Sequence, residues 1–291
     1  MSLHLKVGRN ALATAIDDFL QRQIPAAPRA YLHQLLKKGK VTCNGVLLTA
    51  GDLVAANDLV VLPESRRLRE LLALSRSLPP APVVLLDHPQ FLIADKPAGL
   101  AIHAAQGHED VNLTDVLQKA ATARGEKFRI APVQRLDLET SGVCLFGKGR
   151  QALGELGRLM MDGQLKKHYL ALVAGRYSGP QELSSLVEAK GKIKEAHCLV
   201  RLLRSNDQAS LLEIALQTGR QHQIRQQLAQ QGYAIFGDNR YHGPALKGLT
   251  RVFLHSAQLS FFSPFGGEPI AVSSALPEEL RAALSVVQLP L

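Results

Sequence analysis

The sequence predicts an α+β fold: a small N-terminal unit of helices and a hairpin sheet, then a mixed, largely antiparallel sheet flanked by helices. Three observations predict it. A length of 291 residues fits one large domain with a small one attached. Hydrophobic residues make up 46% and charged residues 20% of the chain, which favours a packed core over disorder. Consecutive strand-like runs joined by short turns favour antiparallel pairing over a doubly wound parallel sheet.

The first predicted domain covers residues 1–63, and its first helix is expected over residues 11–24. Apolar residues recur there at helical spacing and would form one buried stripe. The stripe consists of Leu12, Ala15, Ile16, Phe19 and Leu20. Residues 41–63 alternate short β-prone runs with Asn-Gly and Gly-Asp turns, which predicts a small hairpin sheet.

A second short helix is predicted over residues 28–40. Lys37 and Lys38 suit its last turn, because cations are favourable at a helix C-terminus, and Gly39 can cap it. Residues 1–80 contain 11 basic and 6 acidic residues, a net charge of +5 within a total of +9. This surplus indicates either a polyanionic partner such as nucleic acid or simply a soluble basic protein.

Residues 64–82 are predicted to be a linker, Arg-rich and part helical, that ends in prolines incompatible with regular structure. The second domain, residues 83–291, mixes helices and strands. Helices are predicted over 113–125, 150–163 and 218–232, and strands over 83–86, 91–95, 166–175, 196–204, 210–219 and 252–262. Thr218 and Gln221 are expected to form a capping box at the start of the third of these helices.

The chain shows no sign of secretion or of a membrane span. Cys43, Cys144 and Cys198 form no CxxC pair, so we expect buried thiols in a reducing compartment. The first residues lack an apolar signal-peptide region, and no apolar run approaches the roughly 20 residues that a membrane helix needs. A cytoplasmic protein without a membrane partner is therefore expected.

Three familiar kinds of active site are disfavoured. Residues 142–149, GVCLFGKG, approach the P-loop pattern but place Gly149 where a hydroxyl side chain should bind magnesium. His222 and His255 have no HExxH or carboxylate context, so no metal site is expected. The chain also lacks the Gly-x-Ser-x-Gly elbow of a serine hydrolase.

Asp137, within RLDLETSG at residues 135–142, is the strongest candidate for chemistry. The apolar run that follows predicts a buried strand, so this acid lies on a loop that feeds the sheet, where catalytic groups are often mounted. The alternative interpretation is an Asp that stabilises a turn through its side chain, which is the more common use of such a residue. The other motifs of the chain favour chemistry.

Five segments resemble, in order, the motifs of the RluA-type RNA pseudouridine synthases. They are DKPAGLAIH (95–103), RLDLETSG (135–142), KKHYLALVAG (166–175), TGRQHQIRQQLAQQGYAIFGDNRYHG (218–243) and FLHSAQLSF (253–261). Residues 1–63 are similar to the alpha-L RNA-binding domain found at the front of several RNA-modifying enzymes. Gln134 stands where the family usually has His, and His242 is inserted before Gly243. We expect activity to survive the change at Gln134, with altered loop support or RNA contact.

The resemblance implies that residues 83–291 form a catalytic domain that isomerises uridine in RNA to pseudouridine, with no cofactor. Asp137 would be the nucleophile, attacking either the sugar or the base. Arg225 would be its ion-pair partner, since a guanidinium pairs bidentately and stays charged. Tyr169 would stack on the uracil and act as general base toward the proton on carbon five.

The resemblance also implies how RNA is bound. A stacked uridine is inaccessible, so it must be flipped out, and Arg135 would hold the opened site. Phosphate contacts are expected from Lys37, Lys38, Lys96, Lys166, Lys167 and Arg220. We expect ribosomal RNA first and transfer RNA second, bound by a monomer. The alternatives are a non-catalytic RNA-binding or ribosome-assembly factor on the same fold, and an RNA hydrolase, for which no metal site or histidine pair is evident.

Overall fold

The computed structural model describes residues 2–8, 13–24, 26–77, 82–103, 112–189 and 191–290. The chain divides into two compact units, Met1–Ala81 and Pro82–Leu291. No helix within the described ranges is long and apolar enough to cross a membrane.

The N-terminal unit is built from short strands and helices around its own apolar core. Its elements are β1 (Ser2–Lys6), β2 (Thr14–Ala15), α1 (Ile16–Gln23), α2 (Arg29–Lys37), β3 (Thr42–Cys43), β4 (Val46–Leu47), β5 (Leu53–Val54), β6 (Leu59–Pro63) and α3 (Arg66–Ser77). Strands pair in the order β1-β6-β3-β4, and β2 pairs separately with β5. The β3–β4 hairpin turns at Asn44 and Gly45, both with positive φ, as the Asn-Gly pair predicts.

Both predicted helices of this unit are present but shorter than predicted. Helix α1 begins only at Ile16 because the two residues before it pair with β5, and Leu12 lies outside the described residues. Ile16, Phe19 and Leu20 are buried, as the apolar stripe predicts. The predicted linker contains α3, whose Leu68 is buried in the N-terminal core. The division between the units therefore falls after α3, at residues 81 and 82.

The second unit is a large sheet with helices packed against it. Its elements are β7 (Val83–Asp87), β8 (Phe91–Lys96), α4 (Leu113–Ala123), β9 (Ile130–Pro132), β10 (Ser141–Lys148), α5 (Arg150–Met161), β11 (Lys166–Ala174), β12 (Glu182–Ala189), β13 (Lys192–Ser205), β14 (Ala209–Leu216), α6 (Gln223–Gln230), a 3₁₀ turn (Asn239–Tyr241), β15 (Leu254–Phe262), β16 (Pro269–Ser273) and α7 (Glu278–Val286).

This sheet has ten strands and confirms the predicted α+β class. Eight follow the order β12-β13-β14-β11-β15-β10-β8-β7, while β16 pairs with β15 and β9 pairs with β10. Only the short β10–β15 pairing is parallel among the described strands. All eight residues of β10 are buried, so this strand runs through the middle of the core.

Strand β10 begins at a very close approach to β15. Gly142 has φ of +110°, and a Cβ placed there would lie 2.1 Å from the backbone oxygen of Ser256. Only glycine fits such a contact. The chain just before β10, which carries Asp137, is therefore tied to the sheet at its C-terminal end.

Helix α6 begins later than predicted. Residues 218–222 form a loop, and His222 occupies the N-cap in a left-handed conformation with φ of 52°. The Thr218 hydroxyl donates to the Gln223 side-chain oxygen at 2.7 Å, and the same oxygen accepts the Arg220 backbone N–H at 3.0 Å. The predicted Thr218–Gln221 capping box is therefore wrong, because Thr218 lies four residues before the N-cap and bonds to the Gln223 side chain instead.

Candidate active site

Asp137 lies on the loop between β9 and β10, and its side chain is 25% exposed. Two buried cations hold the next two residues by their backbone. The Lys96 ammonium donates to the Leu138 carbonyl at 3.0 Å, and the Arg251 guanidinium donates to the Glu139 carbonyl at 2.9 Å. The Asp137 carboxylate is thus accessible to a ligand, while its loop is held in place by the buried side chains of Lys96 and Arg251.

Arg225 reaches this carboxylate from helix α6 and is itself buried. Its Nη1 lies 3.5 Å from Asp137 Oδ2. Its Nε and Nη2 donate to the two oxygens of Asp238 at 2.7 and 2.6 Å. The structure therefore brings the predicted pair of Asp137 and Arg225 together, but the bidentate partner of Arg225 is the fully buried Asp238.

His222 lies near the other oxygen of the Asp137 carboxylate. Its Nε2 lies 3.6 Å from Asp137 Oδ1, and its Nδ1 lies 3.0 Å from the Tyr241 hydroxyl. The Tyr241 ring also faces the Arg225 guanidinium, with 5.2 Å between the guanidinium carbon and the ring centroid. This contact could not be read from the residues around His222, since Asp137 comes from 85 residues earlier in the chain.

Asp238, His222 and Tyr241 are functional candidates that reasoning from the sequence missed. All three lie within the 218–243 segment that resembles a family motif, and this was the available signal. Asp238 additionally accepts the backbone N–H groups of Arg240 and Tyr241, each at 3.2 Å, and so starts the 3₁₀ turn that carries Tyr241.

Tyr169 is buried on β11. Burial is the main cause that raises the pKa of its hydroxyl; a hydrogen bond with Ser256 opposes this shift, and the charge of Asp137 adds to it. Its hydroxyl is therefore neutral at neutral pH and is a better hydrogen-bond donor than a proton acceptor. General-base action by Tyr169 would need this environment to change when RNA binds.

Lys96 cannot serve as the predicted phosphate contact. It is fully buried, and its ammonium donates to the carbonyls of Pro97, Leu100 and Leu138 at 2.9–3.0 Å. An ammonium has three hydrogens, so none remains for a phosphate. Burial is also the main cause that lowers the pKa of Lys96 to about 8. The residue supports the Asp137 loop instead.

Replacing Lys96 by methionine should change how stability depends on pH. The pKa of Lys96 is lowered in the folded chain from 10.5 to about 8, so within this window the unfolded chain holds the proton and the folded chain does not. The contribution of Lys96 to the free energy of unfolding therefore rises with pH there. The stability of the original chain relative to Lys96→Met should rise by up to about 3 kcal/mol across the window.

Chemical denaturation at pH 7.5, 9 and 10.5 would measure this difference, with Lys119→Met as the control because Lys119 is an exposed lysine on α4. A constant difference between the original chain and Lys96→Met over this pH range would contradict the prediction.

The other predicted RNA contacts fall into two groups. Exposed side chains are found at Arg135, Lys166 and Arg220 in the second unit and at Lys37 and Lys38 in the N-terminal unit. The Nε of Arg220 already donates to the Glu195 carbonyl at 2.9 Å. Lys167 is buried, and burial lowers its pKa, which leaves it poorly placed for a surface phosphate.

Gln134, the departure from the family pattern, is buried beneath the loop. Its Nε2 donates to the Val143 carbonyl at 3.3 Å, while its Oε1 has no hydrogen-bond partner among the described residues. The side chain at position 134 is therefore bonded to strand β10 and is only 7% exposed.

Comparison with known proteins agrees with these features. A family profile described as RNA pseudouridylate synthase matches residues 90–230. The chain is 30% identical to the ribosomal large subunit pseudouridine synthase C of Escherichia coli, over 92% of this chain and 91% of that protein. It is 26% identical to the protein of the same description from Vibrio vulnificus, over 91% and 90% of the two chains.

Solved structures show the same fold. The human RNA pseudouridylate synthase domain containing 4 superposes with a TM-score of 0.59 at 22% identity, over 74% of this chain and 94% of that one. The corresponding human domain containing 1 gives a TM-score of 0.52 at 21% identity, over 67% and 84%. With the motifs, the fold and these relatives in agreement, the chain belongs to the RluA-type family and is an RNA pseudouridine synthase.

Proposed function

We propose that this enzyme converts uridine in ribosomal RNA to pseudouridine, with Asp137 as the nucleophile on a flipped-out nucleotide. The observation that carries the proposal is the Asp137 carboxylate itself, partly exposed on a fixed loop with Arg225 3.5 Å away. Relatives described as ribosomal large subunit synthases, aligned over nine-tenths of the chain, support ribosomal RNA as the substrate.

The reaction breaks the bond between the sugar and N1 of uracil, forms a bond between the sugar and carbon five, and moves one proton. An ionised carboxylate can add to the sugar or to the ring while the base is detached. The Arg225 guanidinium, 3.5 Å from Asp137, can balance the negative charge of the carboxylate, because a guanidinium stays charged. The proton lost from carbon five is balanced by the proton gained at N1.

RNA binding would involve both units. Arg135, exposed two residues before Asp137, would occupy the space that the flipped base leaves. Lys37 and Lys38 on the basic N-terminal unit would contact phosphates, which add affinity without sequence information. Transfer RNA is the second candidate substrate. A ribosomal substrate would place the enzyme in the cytoplasm, and we propose that it acts as a monomer.

The substrate can be identified by mapping pseudouridine in ribosomal and transfer RNA from cells that lack this gene. Cells complemented with the original protein should regain one or more modified uridines in ribosomal RNA, and cells complemented with Asp137→Asn should not. Sites regained only in transfer RNA would contradict the proposed substrate. Sites regained with Asp137→Asn would contradict the proposed nucleophile.

Replacing Tyr169 by phenylalanine tests its role in proton transfer. If its hydroxyl takes part, release of tritium from uridine labelled at carbon five should slow by on the order of 100-fold, the usual contribution of a general acid or base. Binding of RNA should change little, because the aromatic ring is kept. Tritium release at the original rate would leave Tyr169 with stacking alone.

A further inference from the structure

His222 is held in an unusual way for a residue that the proposed chemistry does not use. It adopts a left-handed backbone conformation with φ of 52°, which is costly for a residue with a Cβ. This conformation turns its ring out of the helical path at the start of α6, between the Asp137 carboxylate and the Tyr241 hydroxyl. Such strain is commonly retained where it places a functional group.

Four charged groups from three elements act on this imidazole. Asp137 approaches from the β9–β10 loop, Arg225 from the same helix, and Asp238 and Arg240 from the 3₁₀ region. Burial is the main cause that lowers the pKa of His222, and the charge of Asp137 opposes this shift. The imidazole is therefore neutral at neutral pH, so one ring nitrogen carries a proton and the other accepts.

The neighbours of the two ring nitrogens of His222 indicate which nitrogen carries the proton. A lone pair on Nε2 would face the Asp137 Oδ1 at 3.6 Å and repel it, whereas an Nε2–H would attract it. The Tyr241 hydroxyl, 3.0 Å from Nδ1, can donate or accept. Electrostatics therefore favour Tyr241 donating to Nδ1 and Nε2–H pointing at Asp137. The separation of 3.6 Å exceeds a formed hydrogen bond, and such contacts in sites without substrate commonly tighten when substrate binds.

We propose that His222 is a positioning residue that orients the Asp137 carboxylate through its Nε2–H, with its tautomer fixed by the Tyr241 hydroxyl. Arg225 then holds one carboxylate oxygen and His222 the other, so that the carboxylate keeps a single orientation toward the flipped uridine. This role rests on the proposed function of Asp137 as the nucleophile.

Nitrogen NMR of the full chain labelled with ¹⁵N-histidine tests the tautomer without any turnover. The resonances of His222, assigned by their loss in His222→Gln, should show Nε2 protonated and Nδ1 unprotonated at neutral pH. Tyr241→Phe should convert this to a mixture of tautomers, and Tyr233→Phe should not, because the Tyr233 hydroxyl pairs with Ser178. A protonated Nδ1 in the original chain, or no effect of Tyr241→Phe, would overturn the proposal.

A matched pair of variants separates orientation from structure. His222→Gln keeps an N–H donor at the end of the side chain, and His222→Leu has similar bulk without one. We expect His222→Gln to retain at least about tenfold more kcat than His222→Leu, the equivalent of one hydrogen bond to a charged group, with similar KM and circular dichroism. Equal kcat for the two variants would overturn the proposal. Full activity of Asp137→Asn would instead overturn the proposed function, while the tautomer measurement would still stand.

Discussion

Asp137→Asn is expected to reduce uridine isomerisation by on the order of 10⁴-fold or more, because the amide cannot act as the nucleophile. The substitution keeps the shape of the side chain. Arg225 is not left unpaired, since its Nε and Nη2 remain bound to Asp238. The folded structure should therefore persist, and RNA binding should stay within a few fold of the original.

Single-turnover tritium release and a filter-binding assay on the same RNA would measure the two effects separately. Asp162→Asn provides the control, because Asp162 is an exposed acid at the end of α5. Activity of Asp137→Asn close to that of Asp162→Asn would exclude Asp137 as the nucleophile.

Asp238→Asn is expected to lower the free energy of unfolding by about 3–5 kcal/mol, as measured for the loss of one partner from a buried ion pair. Asp238 is fully buried, and its carboxylate binds both Nε and Nη2 of Arg225. The amide would leave the buried guanidinium with only the longer contacts to Asp137 and Glu139, at 3.5 and 4.0 Å, to balance its charge. Isomerisation should also fall, because Arg225 would lose the partner that fixes it beside Asp137.

Asp207→Asn is the matched control for stability. Asp207 also pairs with an arginine, Arg176, at 3.0 Å, but the two side chains are 94% and 67% exposed. Loss of an exposed pair should cost less than about 1 kcal/mol. Urea denaturation followed by circular dichroism would compare the two variants. Equal losses for Asp238→Asn and Asp207→Asn would show that the buried pair is not the anchor inferred from its geometry.

Elements with a regular pattern were predictable from sequence. The apolar run after Asp137 predicted β10, and the runs at 83–86 and 91–95 predicted β7 and β8 to within a residue. The start of α6 was not predictable, because the loop before it is held by the Gln223 side chain, which folds back onto Thr218 and Arg220. Local propensity carries no information about that contact.

The site was predictable only in part, and for a physical reason. Asp137, Arg225 and Tyr169 were named from motifs, whereas the pairing of Arg225 with Asp238 joins the helix to a turn 13 residues later. Lys96 was expected to contact an RNA phosphate. Its burial depends on three carbonyl groups that converge only in the folded chain.

Two buried cations hold the Asp137 loop through its backbone oxygens and not through its own side chains. Lys96 and Arg251 bind the carbonyls of Leu138 and Glu139, and every amino acid supplies a carbonyl. This support of the loop therefore does not depend on which side chains stand at positions 138 and 139. It depends instead on Lys96 and Arg251, two buried cations that are distant from the loop in the sequence. The position of the Asp137 carboxylate and the side chains that surround it are thus set at separate positions of the chain.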